Sequence, residues 1–480
     1  RVGASHNSNI MAWRHVVVGG GIAGYTCAST LAKRSSEQVL LVTCHPILKG
    51  VQMLRPLTKL LQDVTLRNIT AAEVEKLYPN IVIWNDEMIR LLPETSEIEL
   101  KSGRRVHFQQ CCLAMGAAPV LIGNGQRNII GLRDDVSVDH FQSAWEASSS
   151  IMVVGNGGIA LELMSAWVME LKAAEKESSS SSSSSQTQGG RRKKKCIYWV
   201  IRENHIGNTF FDPSAAAFLI PELESYVKIR RSCHVVELKE KEKEKDEEKK
   251  DNEGTSTKKA GNGMMMEVTL SDGEVLLVDY VVSATGVHPR TFSCPTAMLG
   301  PTGGIEVDAM GRSRSFSCIF AAGDCADANA LARCMPLGGS GNRGSLWFPL
   351  RTWGQGKTMG EQCARCMLDT PDEALTYSIF AHVTEFFEWK VVLLGLFDGR
   401  QPLHWDETIA PWSIRVLVSI VDGEYYVRVT LHEGRVVGAV LIGETDLEDT
   451  MENLILSGLD VSALGDDLLN PDFDLSDYFD

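Results

Sequence analysis

The sequence predicts an α/β protein made of two doubly wound units with parallel sheets, followed by a C-terminal α+β domain. A β-branched strand leads into a glycine-rich turn and a helix at residues 16–33. The same pattern recurs at residues 151–162, and an apolar strand ending in Ala-x-Gly follows each copy downstream. Beyond about residue 371 the pattern changes to alternating strands and one helix, which is typical of an α+β sheet domain.

The first glycine turn has the spacing of a dinucleotide-binding motif. Gly19, Gly21 and Gly24 fit G-x-G-x-x-G directly after the strand Val16-Val17-Val18. The first glycine permits a tight turn, the second lets a pyrophosphate approach the backbone, and the third lets the helix pack on the strand. This strand–turn–helix context predicts a dinucleotide whose phosphates lie at the positive end of the helix.

A second motif repeats the first. Gly155, Gly157 and Ala160 fit G-x-G-x-x-A between a β-branched strand and a helix. The closing strands end in Ala114-Met115-Gly116 and Ala284-Thr285-Gly286. An internal repeat of this kind reveals architecture, and it predicts two Rossmann-like dinucleotide-binding domains.

The residues that follow the second strand of each unit bear on which nucleotide is bound. Thr43 stands where an acidic residue would hold a ribose hydroxyl, and its own hydroxyl makes a weaker bond. Arg202 ends the corresponding strand of the second unit, where a guanidinium suits the 2′-phosphate of NADP, although Glu203 could instead hold the ribose of NAD. Lys49 is either a cation near the first cofactor or a solvated surface lysine.

Two further stretches resemble ligand motifs. Asp324 follows the strand 318–322, so its carboxylate points into the ligand crevice or caps a helix, and the two roles are compatible. Residues 354–358 resemble the end of a P-loop, but Arg351 stands where that motif needs glycine and no strand precedes it. We therefore reject a P-loop.

The composition excludes some function classes. The chain has 480 residues, enough for two to four domains, and a net charge of −15, which argues against a general nucleic-acid surface. No apolar run approaches the ~18 residues of a membrane-spanning helix. We take Met11 as the start and see no leader after it, so we expect a protein of the cytoplasm and nucleus.

The twelve cysteines are scattered, which suggests reduced thiols. Cys363 and Cys366 have redox-like spacing but lie in a helical run, so we interpret them as packing thiols. One such pair cannot complete a four-ligand zinc site, and we expect no metal.

The domain boundaries follow from these motifs. We assign residues 11–135 and 291–370 to the first domain, 136–290 to the second and 371–480 to the third. Serine-rich and Lys/Glu-rich runs predict disordered insertions near 174–195 and 239–263. The basic run 191–195 is either a nuclear-import signal or part of a solvated linker. The acidic tail is either a flexible end or a docking peptide.

The paired glycine motifs, the Ala-x-Gly strands and Phe320-Ala321-Ala322-Gly323-Asp324 together resemble the pyridine nucleotide-disulphide oxidoreductases, flavoproteins with two dinucleotide-binding domains. The resemblance extends over nearly all of residues 14–480 outside the insertions. The stretches that carry it most specifically are 155–163, 206–212, 390–395 and 438–448.

The resemblance implies FAD on the first domain and NAD(P)H on the second. It places Lys49 near the flavin ring and Glu162 beside the nicotinamide, and these two are the candidate catalytic residues. With the residues argued above, the candidate cofactor-binding residues are Gly19, Gly21, Ile22, Ala23, Gly24, Thr43, Lys49, Ala114, Gly116, Gly323 and Asp324 for FAD, and Gly155, Gly157, Gly158, Ile159, Ala160, Glu162, Arg202 and Gly286 for NAD(P)H.

One departure from the family pattern bears on the reaction. Dithiol members carry C-x-x-x-x-C after the second strand or C-x-x-C in the nucleotide domain. In this chain only Cys44 follows Thr43, and residues 136–290 hold no such pair. We therefore expect an oxidoreductase that passes hydride from NAD(P)H to flavin, and on to an unidentified acceptor, without a dithiol.

The resemblance also implies a partner. It links the chain to nucleocytoplasmic redox proteins that guard a metal-dependent tRNA ligase complex from oxidation, and from the net charge we expect a protein partnership rather than direct RNA binding. The alternative is a redox sensor or scaffold that holds flavin and nicotinamide and turns over slowly.

Overall fold

The computed structural model describes residues 11–470 except 124, 134, 181–194, 220–222, 243–263, 330–345, 371–378 and 403–410. These residues form two compact units. Unit 1 comprises residues up to 118 with 288–384 and 390 onward, and unit 2 comprises 119–287 with 385–389.

The strands of the described residues, in chain order, are β1 Met11–Val18, β2 Val39–Thr43, β3 Ile47–Pro56, β4 Gln62–Thr70, β5 Ile81–Asn85, β6 Met88–Leu92, β7 Glu97–Leu100, β8 Arg105–Leu113, β9 Ala117–Pro119, β10 Ile129–Ile130, β11 Ser150–Val154, β12 Cys196–Val200, β13 Val227–Arg230, β14 Val235–Glu242, β15 Met264–Leu270, β16 Val275–Val278, β17 Tyr280–Ser283, β18 Val287–Pro289, β19 Ile305–Glu306, β20 Ile319–Ala321, β21 Ala326–Asp327, β22 Ala381–Phe386, β23 Trp389–Gly395, β24 Arg415–Val421, β25 Tyr425–His432 and β26 Arg435–Gly443.

The α-helices of the described residues are α1 Ile22–Arg34, α2 Ala71–Leu77, α3 Asp135–Ala147, α4 Gly158–Ser180, α5 Pro213–Leu219, α6 Leu223–Tyr226, α7 Trp353–Met367 and α8 Glu448–Ser457. A capping box between Thr70 and Glu73 begins α2, and the Thr352 hydroxyl caps α7. None of these helices is long and apolar enough to cross a membrane.

The main sheet of unit 1 has the order β5-β2-β1-β8-β7-β6, and β20 pairs with β8. Strands β5, β2, β1, β8 and β20 run parallel, whereas β6 and β7 form an antiparallel edge. Every residue of β2 is buried, as expected of a parallel strand covered on both faces. The carboxyl ends of these parallel strands carry the first glycine turn.

Helices α1 and α7 pack closely beside this sheet. A Cβ on Gly360 of α7 would lie 2.1 Å from the carbonyl oxygen of Ala23 on α1, and one on Gly356 would lie 3.1 Å from the Ile22 side chain. Two glycines one helical turn apart therefore allow the helix backbones to approach each other. Gly356 belongs to the stretch 354–358 that resembles a P-loop, and that stretch lies inside α7, which confirms its rejection.

Unit 1 also contains the five-stranded sheet with the order β22-β23-β26-β25-β24, where α8 contacts β26. The start of the acidic tail is ordered: Gly465–Leu469 form a 3-10 helix, and Asp466 pairs with Arg415 at 2.9 Å. Residues 471–480, most of the tail, lie outside the described residues.

Unit 2 is built on the parallel sheet β10-β17-β11-β12-β13, and an antiparallel sheet β14-β15-β16 accompanies it. Helix α4 continues to Ser180 and β14 continues to Glu242, so both elements run into the segments predicted as insertions. Both elements therefore extend several residues past the predicted boundaries near 174 and 239. Residues 181–194 and 243–263 lie outside the described residues.

Candidate cofactor-binding sites

The first glycine turn leaves β1 between two neighbouring strands. Gly19 has φ +113°, and its N–H donates to Val42 O on β2 at 2.8 Å. The Ala114 N–H donates to Val18 O at 2.7 Å, so the end of β8 lies against the turn. A Cβ on Gly19 would lie 2.1 Å from Ala114 O. The position requires glycine both for its backbone angle and for this approach.

Gly21 and Gly24 have different roles in this turn. Gly21 is the N-cap of α1 with φ −69°, and no atom of the residues that the structure describes lies within 4 Å of a Cβ built on it. A Cβ on Gly24 would lie 1.9 Å from Gly19 O, so Gly24 brings the helix onto the turn. The first turn of α1 has no acidic residue and no side-chain cap. The result is an open helix N-terminus with room for an anionic group, which fits a pyrophosphate.

Thr43 and Lys49 both lie beside this turn. The Thr43 hydroxyl accepts from His45 N at 3.2 Å, and a Cβ on Gly20 would lie 2.7 Å from the Thr43 oxygen. Lys49 N donates to Gly20 O at 3.1 Å. The Lys49 ammonium donates to Asn68 Oδ1 across the β3–β4 hairpin at 2.7 Å. The backbone of Lys49 therefore lies at the turn, while its ammonium group is held by the hairpin.

Asp324 lines a cavity of about 340 Å³ in unit 1. Gly323 before it has φ +69°, and a Cβ there would lie 3.1 Å from the Ala23 Cβ of α1. The end of β20 thus reaches the first turn of α1. The start of α7 forms another wall of the cavity. The lining residues from β20 onward include Gly323, Asp324, Asp327, Pro349, Leu350, Arg351, Gln355, Gly356 and Met359.

Sequence reasoning missed two residues of this cavity. Arg351 has φ +60°, an unusual angle for a side chain other than glycine. The Gln355 amide donates to Phe348 O at 2.7 Å and accepts from Leu350 N at 2.8 Å, which fixes the chain that enters α7. The one available signal in the sequence was Thr352, a residue type favoured at helix N-caps.

The second glycine turn reproduces the first in unit 2. Gly155 has φ +132°, its N–H donates to Val200 O at 3.1 Å, and a Cβ there would lie 2.1 Å from Ala284 O. The Ala284 N–H donates to Val154 O at 2.8 Å. Among the described residues, no atom lies within 4 Å of a Cβ built on Gly157. The repeat seen in the sequence is therefore a repeat of backbone geometry.

The remaining predicted residues of unit 2 surround this turn. Ala160 is fully buried on α4, and Gly158 and Ile159 begin that helix. Gly286 has φ +106° and accepts from Val120 N at 2.9 Å. The Glu162 side chain is exposed, yet desolvation by the surrounding protein raises the pKa of its carboxyl group. The corresponding glycine of unit 1, Gly116, has φ +69°.

The loop after β12 differs from the sequence expectation. β12 ends at Val200, so Arg202 lies two residues beyond the strand rather than at its end. Arg202 is exposed and makes no hydrogen bond or ion pair within the described part of the chain. The carboxylate of Glu203 accepts from the Asn156 amide at 2.9 Å, and Asn156 lies inside the glycine turn. Sequence reasoning missed Asn156, because it occupies a position of the motif where any residue is allowed.

Most of the cysteines that the structure describes are buried. Cys363 and Cys366 lie in α7 and are almost fully buried. Burial raises the pKa of Cys366 to about 11, and hydrogen bonding to Cys112 together with burial raises that of Cys363. Cys44 is exposed after β2. No disulfide joins the cysteines that the structure describes, and these residues contain no cluster of three His, Cys, Asp or Glu suited to a metal.

The pyridine nucleotide-disulphide oxidoreductase family model matches residues 13–344. Proteins named pyridine nucleotide-disulfide oxidoreductase domain-containing protein 1 are similar along nearly their whole length. The protein from Rattus norvegicus is 33% identical and the match covers 97% of this chain and 98% of the relative. The protein from Homo sapiens is 32% identical, with 98% of each chain covered.

Solved structures share the fold at low identity. A ferredoxin reductase for the CYP199A2 system of Rhodopseudomonas palustris matches with a TM-score of 0.68 at 15% identity, covering 98% of this chain and all of its own. The putidaredoxin reductase–putidaredoxin complex matches with a TM-score of 0.67 at 18% identity, covering 96% and 97%. With the family match and the two glycine turns, the chain belongs to the pyridine nucleotide-disulphide oxidoreductase family and is an NAD(P)H-dependent flavoprotein oxidoreductase that uses FAD.

Proposed function

We propose that this protein passes hydride from NAD(P)H to FAD and delivers the electrons to a protein acceptor without a redox-active dithiol. The observation that carries the proposal is the pair of matching glycine turns. In each, a glycine with positive φ lies against an alanine carbonyl, and a second glycine leaves open space before a helix N-terminus. When bound, the two cofactors supply the hydride chemistry, and the protein binds and orients them.

FAD belongs in unit 1 under this proposal. The turn at Gly19 and Gly21 receives the pyrophosphate, and Asp324 contributes a carboxylate to the cavity between β20 and α7. Lys49 supplies a cation that Asn68 holds beside the turn. These residues bind and orient the flavin.

NAD(P)H belongs in unit 2. The turn at Gly155 and Gly157 receives its pyrophosphate, and Glu162 lies on the second turn of α4. Desolvation raises the pKa of its carboxyl group, and its position on α4 places it close to the turn. We assign Glu162 to orienting the nicotinamide.

The cysteines of the described residues support direct transfer from flavin to acceptor. Cys363 and Cys366 are buried in a helix and have raised pKa values, so they are poor nucleophiles. Cys44 is the exposed thiol after β2, and no second cysteine follows it before residue 111.

The acceptor is proposed to be a protein. The similar structures include a reductase joined to its protein partner, putidaredoxin. The family resemblance suggests a tRNA ligase complex as partner, in the cytoplasm and nucleus, and the net charge of −15 favours a protein contact over direct RNA binding.

Anaerobic and aerobic turnover of purified protein tests the proposal. We expect NADH or NADPH to bleach the flavin without oxygen, and an added electron-carrier protein or dye to restore its colour repeatedly. Fast bleaching with one slow turnover would favour the sensor alternative. A protein that binds no flavin would contradict both the enzyme and the sensor. Co-purification with a tRNA ligase complex, with and without NADPH, tests the partner separately.

A further inference from the structure

The second glycine turn rests on an aromatic cluster formed by Phe210, Phe211 and Phe386. The rings of Phe210 and Phe386 are 5.7 Å apart, and those of Phe211 and Phe386 are 6.0 Å apart. All three are buried, with 8%, 4% and 2% exposure. Phe386 enters unit 2 on the short segment 385–389, which is far from the rest of the unit in sequence.

The cluster contacts the glycine turn in two ways. A Cβ on Gly158, the first residue of α4, would lie 3.5 Å from the Phe210 ring. The Phe211 ring packs against Gly207, where a Cβ would lie 2.7 Å from it. Gly207 N in turn donates to Asn156 Oδ1 at 2.6 Å, inside the glycine turn. Phe386 is therefore linked to the glycine turn twice, through Phe210 to Gly158 and through Phe211 and Gly207 to Asn156.

The backbone of the segment 385–389 is unusual. Phe387 and Glu388 both have positive φ, 54° and 69°, although neither is glycine or asparagine. Such a pair is found in tight hairpin turns, where Asn-Gly is favoured because bulky side chains are strained there. The segment is fixed by contacts within unit 2, since Phe387 N donates to Ser165 Oγ on α4 at 2.7 Å and Trp389 packs on Phe218 at 5.0 Å. Strained residues persist where surrounding contacts hold them, and they mark functional positions.

We propose that Phe386 is a positioning residue for the NAD(P)H site: through Phe210 and Phe211 it holds the turn at Asn156–Gly158 in the shape that accepts the pyrophosphate. This rests on the proposed function in one respect, that unit 2 binds NAD(P)H. The coupling is reciprocal, so bound nucleotide also stabilises the segment 385–389 against displacement. A partner that moves this segment therefore changes nucleotide affinity.

The test compares Phe386→Leu with Phe141→Leu as a matched control. Phe141 is also a buried phenylalanine of unit 2, stacked on Trp167 at 5.6 Å, and it is not part of the cluster. Stopped-flow reduction of the flavin at increasing NADH gives a Kd and a limiting rate. We expect Phe386→Leu to raise the Kd on the order of tenfold, with the limiting rate and FAD content close to wild type. Phe141→Leu should leave the Kd unchanged.

Two results overturn the proposal: an unchanged Kd in Phe386→Leu, or equal increases in both variants. If Phe386→Leu does not fold, Phe386→Met replaces it, because the flexible, unbranched methionine side chain fills an irregular core space more easily. Amide hydrogen exchange of the protein without nucleotide is a second readout. Exchange at residues 156–158 and 207 should increase in the Phe386 variant and not in the control. Hydrogen exchange can be measured even if NADH does not reduce the flavin. It therefore distinguishes failure of this proposal from failure of the proposed function.

Discussion

The carbonyl oxygen of Ala114 lies 2.1 Å from where a Cβ on Gly19 would stand, whereas a Cβ on Gly21, two residues later, would have no atom of the described chain within 4 Å. The two glycines of one motif are thus constrained by different things. Gly19 is constrained by the protein itself, through its φ of +113° and the neighbouring strand. At Gly21 no atom of the described chain limits the size of a side chain, so any limit comes from a group bound outside the protein surface.

This contrast predicts different outcomes for two alanine variants. Gly21→Ala should fold normally and lose FAD, because its methyl group occupies the space in front of α1 that the pyrophosphate needs. Gly19→Ala should lose about 2 kcal/mol or more of stability, since alanine is strained at positive φ and collides with Ala114. Flavin absorbance per protein and thermal unfolding of each variant separate the two effects. Stoichiometric flavin in a Gly21→Val protein would falsify the assignment of the first turn.

The cysteines should be dispensable for flavin reduction. We expect a Cys44→Ser, Cys363→Ala, Cys366→Ala protein to be bleached by NADH within about twofold of the wild-type rate, because the hydride path that we propose uses no dithiol. Anaerobic stopped-flow absorbance measures the rate. The single Cys44→Ser variant serves as control for the two cavities left in α7. A large loss of rate in a folded, FAD-loaded triple variant would show that thiols take part.

The sequence predicted the two glycine turns because their requirements are local. A positive φ at Gly19 and at Gly155 requires glycine, and the helix that begins within three residues limits which residue types can follow. The cavity residues Arg351 and Gln355 could not be found in this way, since their roles depend on the approach of α7 to β20. Phe386 was missed for the same reason, because its contacts with Phe210 join positions far apart in sequence.

Other expectations depended on where an element ends, and these were less accurate. Arg202 was placed at the end of a strand that stops at Val200. The helix α4 continues to Ser180, well into a serine run that suggested an insertion. The pattern of apolar side chains identifies the buried part of a helix or strand. The residues at which the helix or strand ends depend instead on capping and on the neighbouring strands.

His382 on β22 should make folding sensitive to acid. Burial lowers its pKa from 6.5 to about 4, so the folded protein holds the imidazole neutral while the unfolded chain protonates it below pH 6.5. Stability from this effect is complete above pH 6.5 and is lost as the pH falls toward 4, by about 1–2 kcal/mol at pH 5. His382→Gln should therefore show a shallower decline of melting temperature between pH 7 and 5. Parallel declines would mean that other groups, including buried His15, account for the whole effect.

Arg202 and Glu203 should divide the recognition of the two nucleotides. Asn156 holds the Glu203 carboxylate at 2.9 Å, next to the turn to which we assign the pyrophosphate, so we expect this carboxylate to accept a ribose hydroxyl and to repel a 2′-phosphate. Arg202 directly precedes Glu203 in the sequence and is exposed. Its guanidinium can make charge-assisted hydrogen bonds to a 2′-phosphate.

We expect Glu203→Gln to weaken NADH binding by about 1 kcal/mol and to leave NADPH unchanged or tighter, because the amide still accepts from Asn156 but carries no charge. Arg202→Ala should weaken NADPH by about 1–2 kcal/mol and affect NADH far less. The Kd values come from flavin reduction at varied NADH and NADPH, with FAD content as the check on folding. Equal losses for both nucleotides in Arg202→Ala would make Arg202 structural. Equal losses in Glu203→Gln would mean that Glu203 shapes the loop through Asn156 rather than contacting the ribose.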